Sequence, residues 1–255
     1  MMQPIEPIGP GGPCPNAASS DDGDAYTFCT TCAFSHACLS EGYAKQDLAA
    51  LHVLVDHVGP YPPGRAIFKE GDAFNAIAAV RAGTVKTFIL DETGNEQVLG
   101  FYLPGEVIGL DAIHSSRYLC SAVALDTVTL CRLSFPKLST LATRMPGLQQ
   151  QLFRLLSQGI GKSNLFVVDS TSEQRLAAFL LLLSRRYAAR GFSPIRFMLT
   201  MSRTDIANHL RLAPETVSRI IRRFSSEGLI EIRQRDVQLH RREDLAAMAR
   251  PILRD

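Results

Sequence analysis

The stretch Thr200–Gly228, TMSRTDIANHLRLAPETVSRIIRRFSSEG, reads as two short helices joined by a tight turn. Ser202, with Asp205 three residues later, forms a capping box at the start of the first helix. Ile206 and Leu210 give that helix an apolar face. The second helix carries Pro214 near its first position, where the missing amide proton is not needed, and Val217, Ile220, Ile221 and Phe224 follow one side until Gly228 stops it. Glu215, Ser218, Arg219, Arg222 and Arg223 are left to face outward. Such a pair suits the major groove of double-stranded DNA, because arginine pairs with guanine O6 and N7 and glutamate accepts from cytosine N4. The plainer alternative is an ordinary surface helix pair.

Charge agrees with the first reading. From Thr171 to Asp255 there are 16 Arg, no Lys and 9 acidic residues, or +7; the rest of the chain holds 11 basic and 16 acidic residues, or −5. The net charge of +2 therefore hides a basic C-terminal part behind a mildly acidic body. C-terminal to the helix pair, Leu229–Ile232 and Val237–His240 are expected to form a hairpin around Arg233, Gln234, Arg235 and Asp236, the basic wing of a winged helix. N-terminal to it, Glu173–Ala189 reads as a helix followed by a turn at residues 190–193.

Further upstream, Met145–Val168 has helical spacing, with Leu148, Leu152, Leu155, Leu156, Ile160 and Leu165 in an apolar stripe. A helix between two domains with such a stripe is a dimerisation element, or else a core-facing helix of one protomer; Gly159 and Gly161 weaken its propensity. Tyr61–Phe135 shows short β-forming runs between Gly64, Gly71, Gly83, Gly94, Gly105 and Gly109, the pattern of a barrel or jelly roll. Lys45–Val58 reads as a short helix burying Leu48, Leu51, Leu54 and Val55. Before it stand Cys29, Cys32 and Cys38, spaced C-x2-C-x5-C, and a tail with Pro4, Pro7, Pro10, Pro13 and Pro15. Met1–Ser20 lacks a secretory pattern, and the run Phe179–Leu183 is far too short to span a bilayer. The expected location is the cytoplasm without membrane partners, where clustered thiols point to metal, cluster or redox chemistry. No hydrolytic triad or P-loop is present in the sequence, so an enzyme is not expected.

The expected class is α+β: tail 1–24, cysteine-rich segment 25–47, β-roll 48–143, connecting helix 144–170 and winged helix-turn-helix 171–255. This order resembles the CRP/FNR family of bacterial transcription regulators, most closely its oxygen-sensing FNR branch. The resemblance rests on the cysteine set, on RLAAFLLLLSRRYAARGFSPIRFMLTMSRTDIANHL, and on PETVSRIIRRF, where Glu215, Ser218 and Arg219 fall on the family's base-reading triplet.

The resemblance implies a [4Fe-4S] cluster held by Cys29, Cys32, Cys38 and a distant cysteine of the roll. By the family pattern this is Cys131 in TLCRLSF, with Cys120 as the competing choice and Cys14 a third. It further implies a homodimer that loses affinity for DNA when oxygen destroys the cluster, a TTGAT-N4-ATCAA-like palindrome, and contact with RNA polymerase, to which the loop Asp91–Glu96 would contribute; that loop also reads as a plain polar turn. Cyclic nucleotide is not expected, because Cys120 and Ser121 stand where cAMP-binding members carry an Arg-Ser pair, and Arg117 is out of register. The span from Met145 to Glu173 is about one turn shorter than in FNR-like members, a change that keeps the facing of the stripe. Zinc is the other metal that four thiolates suit, and thiol oxidation or haem the other redox sensor. His36 reads as an exposed loop histidine, His209 as a phosphate contact or a cover for the helix junction, and Met198, Met201 and Met248 as core or boundary residues.

Overall fold

The computed structural model describes Leu51, residues 53–164 and residues 170–253 of the 255-residue chain. The tail, Cys14, Cys29, Cys32, His36 and Cys38, and residues 45–50 and 52 of the expected 45–58 helix, lie outside the described residues. The chain divides into two compact units, residues 1–89 with 101–152, and residues 90–100 with 153–255.

The first unit is a β-roll. Strands β1 (Val55–Tyr61), β8 (Val128–Ser134), β3 (Ala76–Ala82) and β6 (Val107–Ile108) form one sheet in that order; β2 (Ala66–Phe68), β7 (Ser121–Ala124), β4 (Val85–Leu90) and β5 (Glu96–Tyr102) form the other. Apolar residues from both sheets, among them Ile67, Phe68, Ala78, Val80, Val85 and Leu130, close the interior. The turn from β3 to β4 requires glycine: Gly83 has φ +80°, and a Cβ there would run into the Thr127 carbonyl oxygen. Helix α1 (Phe135–Ala142) follows β8 directly, with Pro136 in its first turn and Leu138 and Ala142 buried.

The helix expected over 45–58 does not continue through its last four residues. Val55 to Val58 is not helical; it opens β1, which pairs antiparallel with β8 from Val55↔Leu133 to Val58↔Leu130. Leu51, Leu54 and Val55 have helical spacing, yet the ladder to a central strand satisfies the backbone of residues 55–58, and tertiary pairing overrides the local pattern.

Helix α2 (Pro146–Asn164) leads out of the roll. Leu148 is buried, Leu152, Leu155 and Leu156 are half-buried, and Phe153 and Ile160 are 60% and 67% exposed. In the second unit, α3 (Ser172–Ala188) starts on a capping box between Thr171 and Gln174 and buries Leu176 to Leu181, so the apolar run read from the sequence belongs to the core. Around it stand α4 (Arg203–Leu210), α5 (Pro214–Ser226), α6 (Arg242–Ala249) and a three-stranded sheet, β10 (Ile230–Arg233), β11 (Asp236–Leu239) and β9 (Arg196–Met198). Strand β9 and helix α6 have no counterpart in the sequence reading: β9 has three residues, and α6 buries only Leu245 and Ala249. Among the described residues no helix is long and apolar enough to cross a membrane.

Candidate nucleic-acid interface and cysteine site

The helix pair forms as its local chemistry dictates. Ser202 Oγ accepts from the Asp205 amide at 3.0 Å and Asp205 Oδ2 accepts from the Ser202 amide at 3.1 Å, closing the expected capping box of α4. Arg211 ends α4 in the left-handed region, at φ 56°, and Pro214 opens α5. Ile206, Ala207 and Leu210 pack with Val217, Ile220, Ile221 and Phe224, all buried. Two arginines bind this unit together. Arg175 Nη1 donates to the Leu210 carbonyl at 3.3 Å, and Arg223 Nη1 donates to Glu173 of α3 at 2.8 Å while its Nε reaches Glu227 at 2.8 Å.

Of the five residues expected to face outward on α5, Glu215, Arg219, Arg222 and Arg223 are exposed and Ser218 is half-buried. At 3.6 residues per turn, Glu215, Arg219 and Arg222 lie within about 60° of one another and Ser218 borders them; Arg223 falls on the flank toward α3. Its guanidinium is engaged by Glu227 and Glu173, and both carboxylates hold its pKa above the ordinary value. The outward face thus presents one carboxylate, two guanidinium groups and a hydroxyl, the donor and acceptor set for base edges and phosphate.

The expected wing is present as the β10–β11 hairpin, with Gln234 at φ 56° in its turn. Asp236 belongs to strand β11 and accepts from Arg196 Nη2 at 2.7 Å, and Arg233 donates to Glu231 at 2.6 Å. Arg235 is exposed at the tip. His209 covers the helix junction: it sits edge-on to Phe179, and its Nδ1 is 3.4 Å from the Val98 carbonyl oxygen. Burial lowers its pKa. Met201 is buried and Met248 half-buried, as read, but Met198 is 51% exposed on β9.

The same unit includes the hairpin tip Leu90–Gly100. Asn208 of α4 grips it, accepting from the Val98 amide at 2.7 Å and donating through Nδ2 to the Glu96 carbonyl. Within the tip, Asp91 Oδ1 accepts from the amides of Thr93 and Asn95 and from the Thr93 hydroxyl, which together hold its carboxyl below the usual range.

The two described cysteines differ in surroundings. Cys120 is 3% exposed inside the roll, where its Sγ lies 3.5 Å from Asp111 Oδ2; burial, reinforced by that carboxylate, pushes the thiol far up. Cys131 is half-buried in the middle of β8. Its cross-strand neighbours are His57 on β1 and Ala79 on β3. Alternate residues of these strands, Ala78, Val80, Val128 and Leu130, belong to the interior cluster, so Cys131, His57 and Ala79 lie on the opposite face of the sheet. Cys131 Sγ is 3.6 Å from His57 Nδ1. Among the described residues no three His, Cys, Asp or Glu side chains converge on a metal position.

At the two positions compared with an Arg-Ser pair in the sequence, Cys120 lies against Asp111, and the Ser121 hydroxyl accepts from the Glu70 amide at 3.1 Å. Arg117 donates to the Gly71 carbonyl at 2.7 Å.

Comparison with known proteins agrees with this architecture. Residues 174–248 match the family model of the Crp-like helix-turn-helix domain, and residues 59–144 that of the cyclic nucleotide-binding domain. The chain is 42% identical over 214 residues to the transcriptional regulatory protein btr of Bordetella pertussis, covering 83% of this chain and 88% of that protein. It belongs to the CRP/FNR family of transcription regulators. To the fumarate and nitrate reduction regulatory protein of Escherichia coli K12, this CRP/FNR member is 38% identical over 224 residues, covering 87% of this chain and 90% of that protein. Among solved structures, FixK2 from Bradyrhizobium japonicum has the same fold, with a TM-score of 0.69 and 24% identity over 76% of this chain and 96% of that one. As a member of the CRP/FNR family the chain is a DNA-binding regulator and not an enzyme.

Proposed function

We propose that this CRP/FNR member is an oxygen-responsive homodimeric regulator that reads a TTGAT-N4-ATCAA-like palindrome while it holds a [4Fe-4S] cluster on Cys29, Cys32, Cys38 and Cys131. One observation carries the choice of Cys131: its thiol lies on the outer face of the roll sheet beside a histidine, whereas Cys120 is packed inside with its thiol held neutral by burial and by Asp111. A segment outside the roll can approach the first and not the second. Thiolate is the ligand such a cluster needs, so the resistance of Cys120 to ionisation also weighs against it. Similarity to regulators named for fumarate and nitrate reduction supports the same branch.

When bound, the cluster supplies the oxygen-sensitive link between the N-terminal cysteines and the roll. The protein's own residues do the rest. Phe153 and Ile160, exposed on α2, meet a second copy of this chain. In the dimer two α5 helices reach successive major grooves, and the two-fold operator mirrors the two-fold protein. Arg219 reads guanine, Glu215 the cytosine opposite, Ser218 a neighbouring base, and Arg222 and Arg235 phosphate. In this reading Arg223, exposed and engaged by Glu173 and Glu227, holds α5 on α3 beside the DNA-facing residues. The tip Asp91–Glu96 contacts RNA polymerase. Cyclic nucleotide is not a ligand in this reading, since Cys120 and Ser121 stand in place of the family's Arg-Ser pair and Cys120 lies against the Asp111 carboxylate.

Substituting Cys131 or Cys120 singly with Ser tests the reading. The Cys131 variant should purify anaerobically without iron and the Cys120 variant with about four iron and four sulfide per chain, the content of a [4Fe-4S] cluster; the reverse would exchange the two assignments, and zinc in place of iron would favour a constitutive zinc protein.

A further inference from the structure

The pairing of Cys131 with His57 goes beyond a ligand set. Register fixes it: Val55↔Leu133, Asp56↔Arg132 and Val58↔Leu130 flank the pair, and a slip of one residue would turn His57 to the other face. Along the row His57, Cys131, Ala79, the imidazole is the one cross-strand side chain with a polar hydrogen to offer, and its Nδ1 stands 3.6 Å from the sulfur. A ring nitrogen at that distance from sulfur is a donor when it carries the proton.

Resting on the assignment of Cys131 as a ligand, we propose that His57 is a positioning residue that donates Nδ1–H to the Cys131 sulfur and sets how fast oxygen destroys the cluster. A hydrogen bond to a ligating sulfur withdraws charge from it and fixes its rotamer; both make the bound centre harder to oxidise and its ligand slower to leave. His57 therefore tunes the response to oxygen without itself contacting DNA.

The test uses full-length protein purified without air, as wild type, His57→Leu, His57→Asn and Cys131→Ser. Iron and sulfide content, the decay of visible absorbance in air and the Fe–S(Cys) stretching region of the resonance Raman spectrum are read for each. Asn keeps an N–H near the position of Nδ1, whereas Leu keeps only bulk. The expected result is a decay about tenfold faster for His57→Leu with a shifted Fe–S(Cys) band, and wild-type behaviour for His57→Asn. Iron in His57→Asn but none in His57→Leu also supports the donor. Equal decay in wild type and His57→Leu overturns the proposal, as does equal acceleration or equal loss of iron in the Leu and Asn variants, which would make the ring a packing element. Iron retained in Cys131→Ser removes the ligand assignment and the proposal with it; iron lost there, with His57→Leu unchanged, removes the proposal alone.

Discussion

Arg219 and Arg223 are one turn apart on α5, yet their surroundings set them apart. Arg219 stands exposed beside Glu215 and Arg222, while Arg223 is engaged by Glu173 and Glu227. Arg219→Ala should relax discrimination at its guanine by about 1–3 kcal/mol, measured as the ratio of affinities for the palindrome and a guanine-substituted operator. Arg223→Ala should weaken both affinities alike and leave that ratio unchanged. His209 supplies a pH effect. Burial keeps its folded-state pKa below the ordinary value of about 6.5, so the unfolded chain takes up the proton first as pH falls. Its contribution to stability is complete above that ordinary value and is lost as pH drops from there through the folded-state pKa. Between about pH 7.5 and 5.5 the Tm of wild type should fall more steeply than that of His209→Gln. None of this division was legible in the sequence: Arg222 and Arg223 are adjacent arginines in one motif, and only the position of α3 supplies Glu173.

At the scale of elements, the helix-turn-helix was readable because several local signals agree. The capping box, Pro214 and the apolar spacing of α4 and α5 all specify the same two helices, and each signal acts within a turn or two of chain. Ser202→Ala should cost about 1 kcal/mol of stability, read from chemical denaturation. Strand β1 misled for the opposite reason: its partner β8 lies far along the sequence, and its residues carry a helical spacing until the ladder forms. Strand β9 likewise exists through its pairing with β11, and α6 through packing on α3. The stripe on α2 was legible as a stripe, and the structure sorts it: Leu148 serves the roll, while Phe153, absent from the sequence reading, and Ile160 remain exposed. Phe153→Glu with Ile160→Glu should shift the cluster-loaded protein to monomer in sedimentation equilibrium, since each buried side chain of this size stabilises an interface by about 1.5–3 kcal/mol. An unchanged dimer would locate the interface elsewhere.

For the whole molecule, the order of roll, long helix and winged helix was legible from the change of period along the chain, and the charge contrast between +7 and −5 pointed to the end that meets DNA. The choice between Cys120 and Cys131 was not legible, because strand alternation assigns faces only once register is known; the ladder of β8 with β1 and β3 turns Cys131 away from the interior cluster, to which Cys120, next to β7 of the other sheet, belongs. Control of DNA binding by a cluster on the outer face, acting through dimerisation, is tested most directly by metal content and air sensitivity together. Protein purified without air should be assayed for iron, zinc and acid-labile sulfide, and for binding to the TTGAT-type palindrome before and after exposure to air. The expected result is about four iron and four sulfide per chain, with binding that falls on exposure to air as the brown absorbance bleaches. Zinc or no metal, with binding indifferent to air, would contradict it and leave a DNA-binding regulator without the oxygen switch.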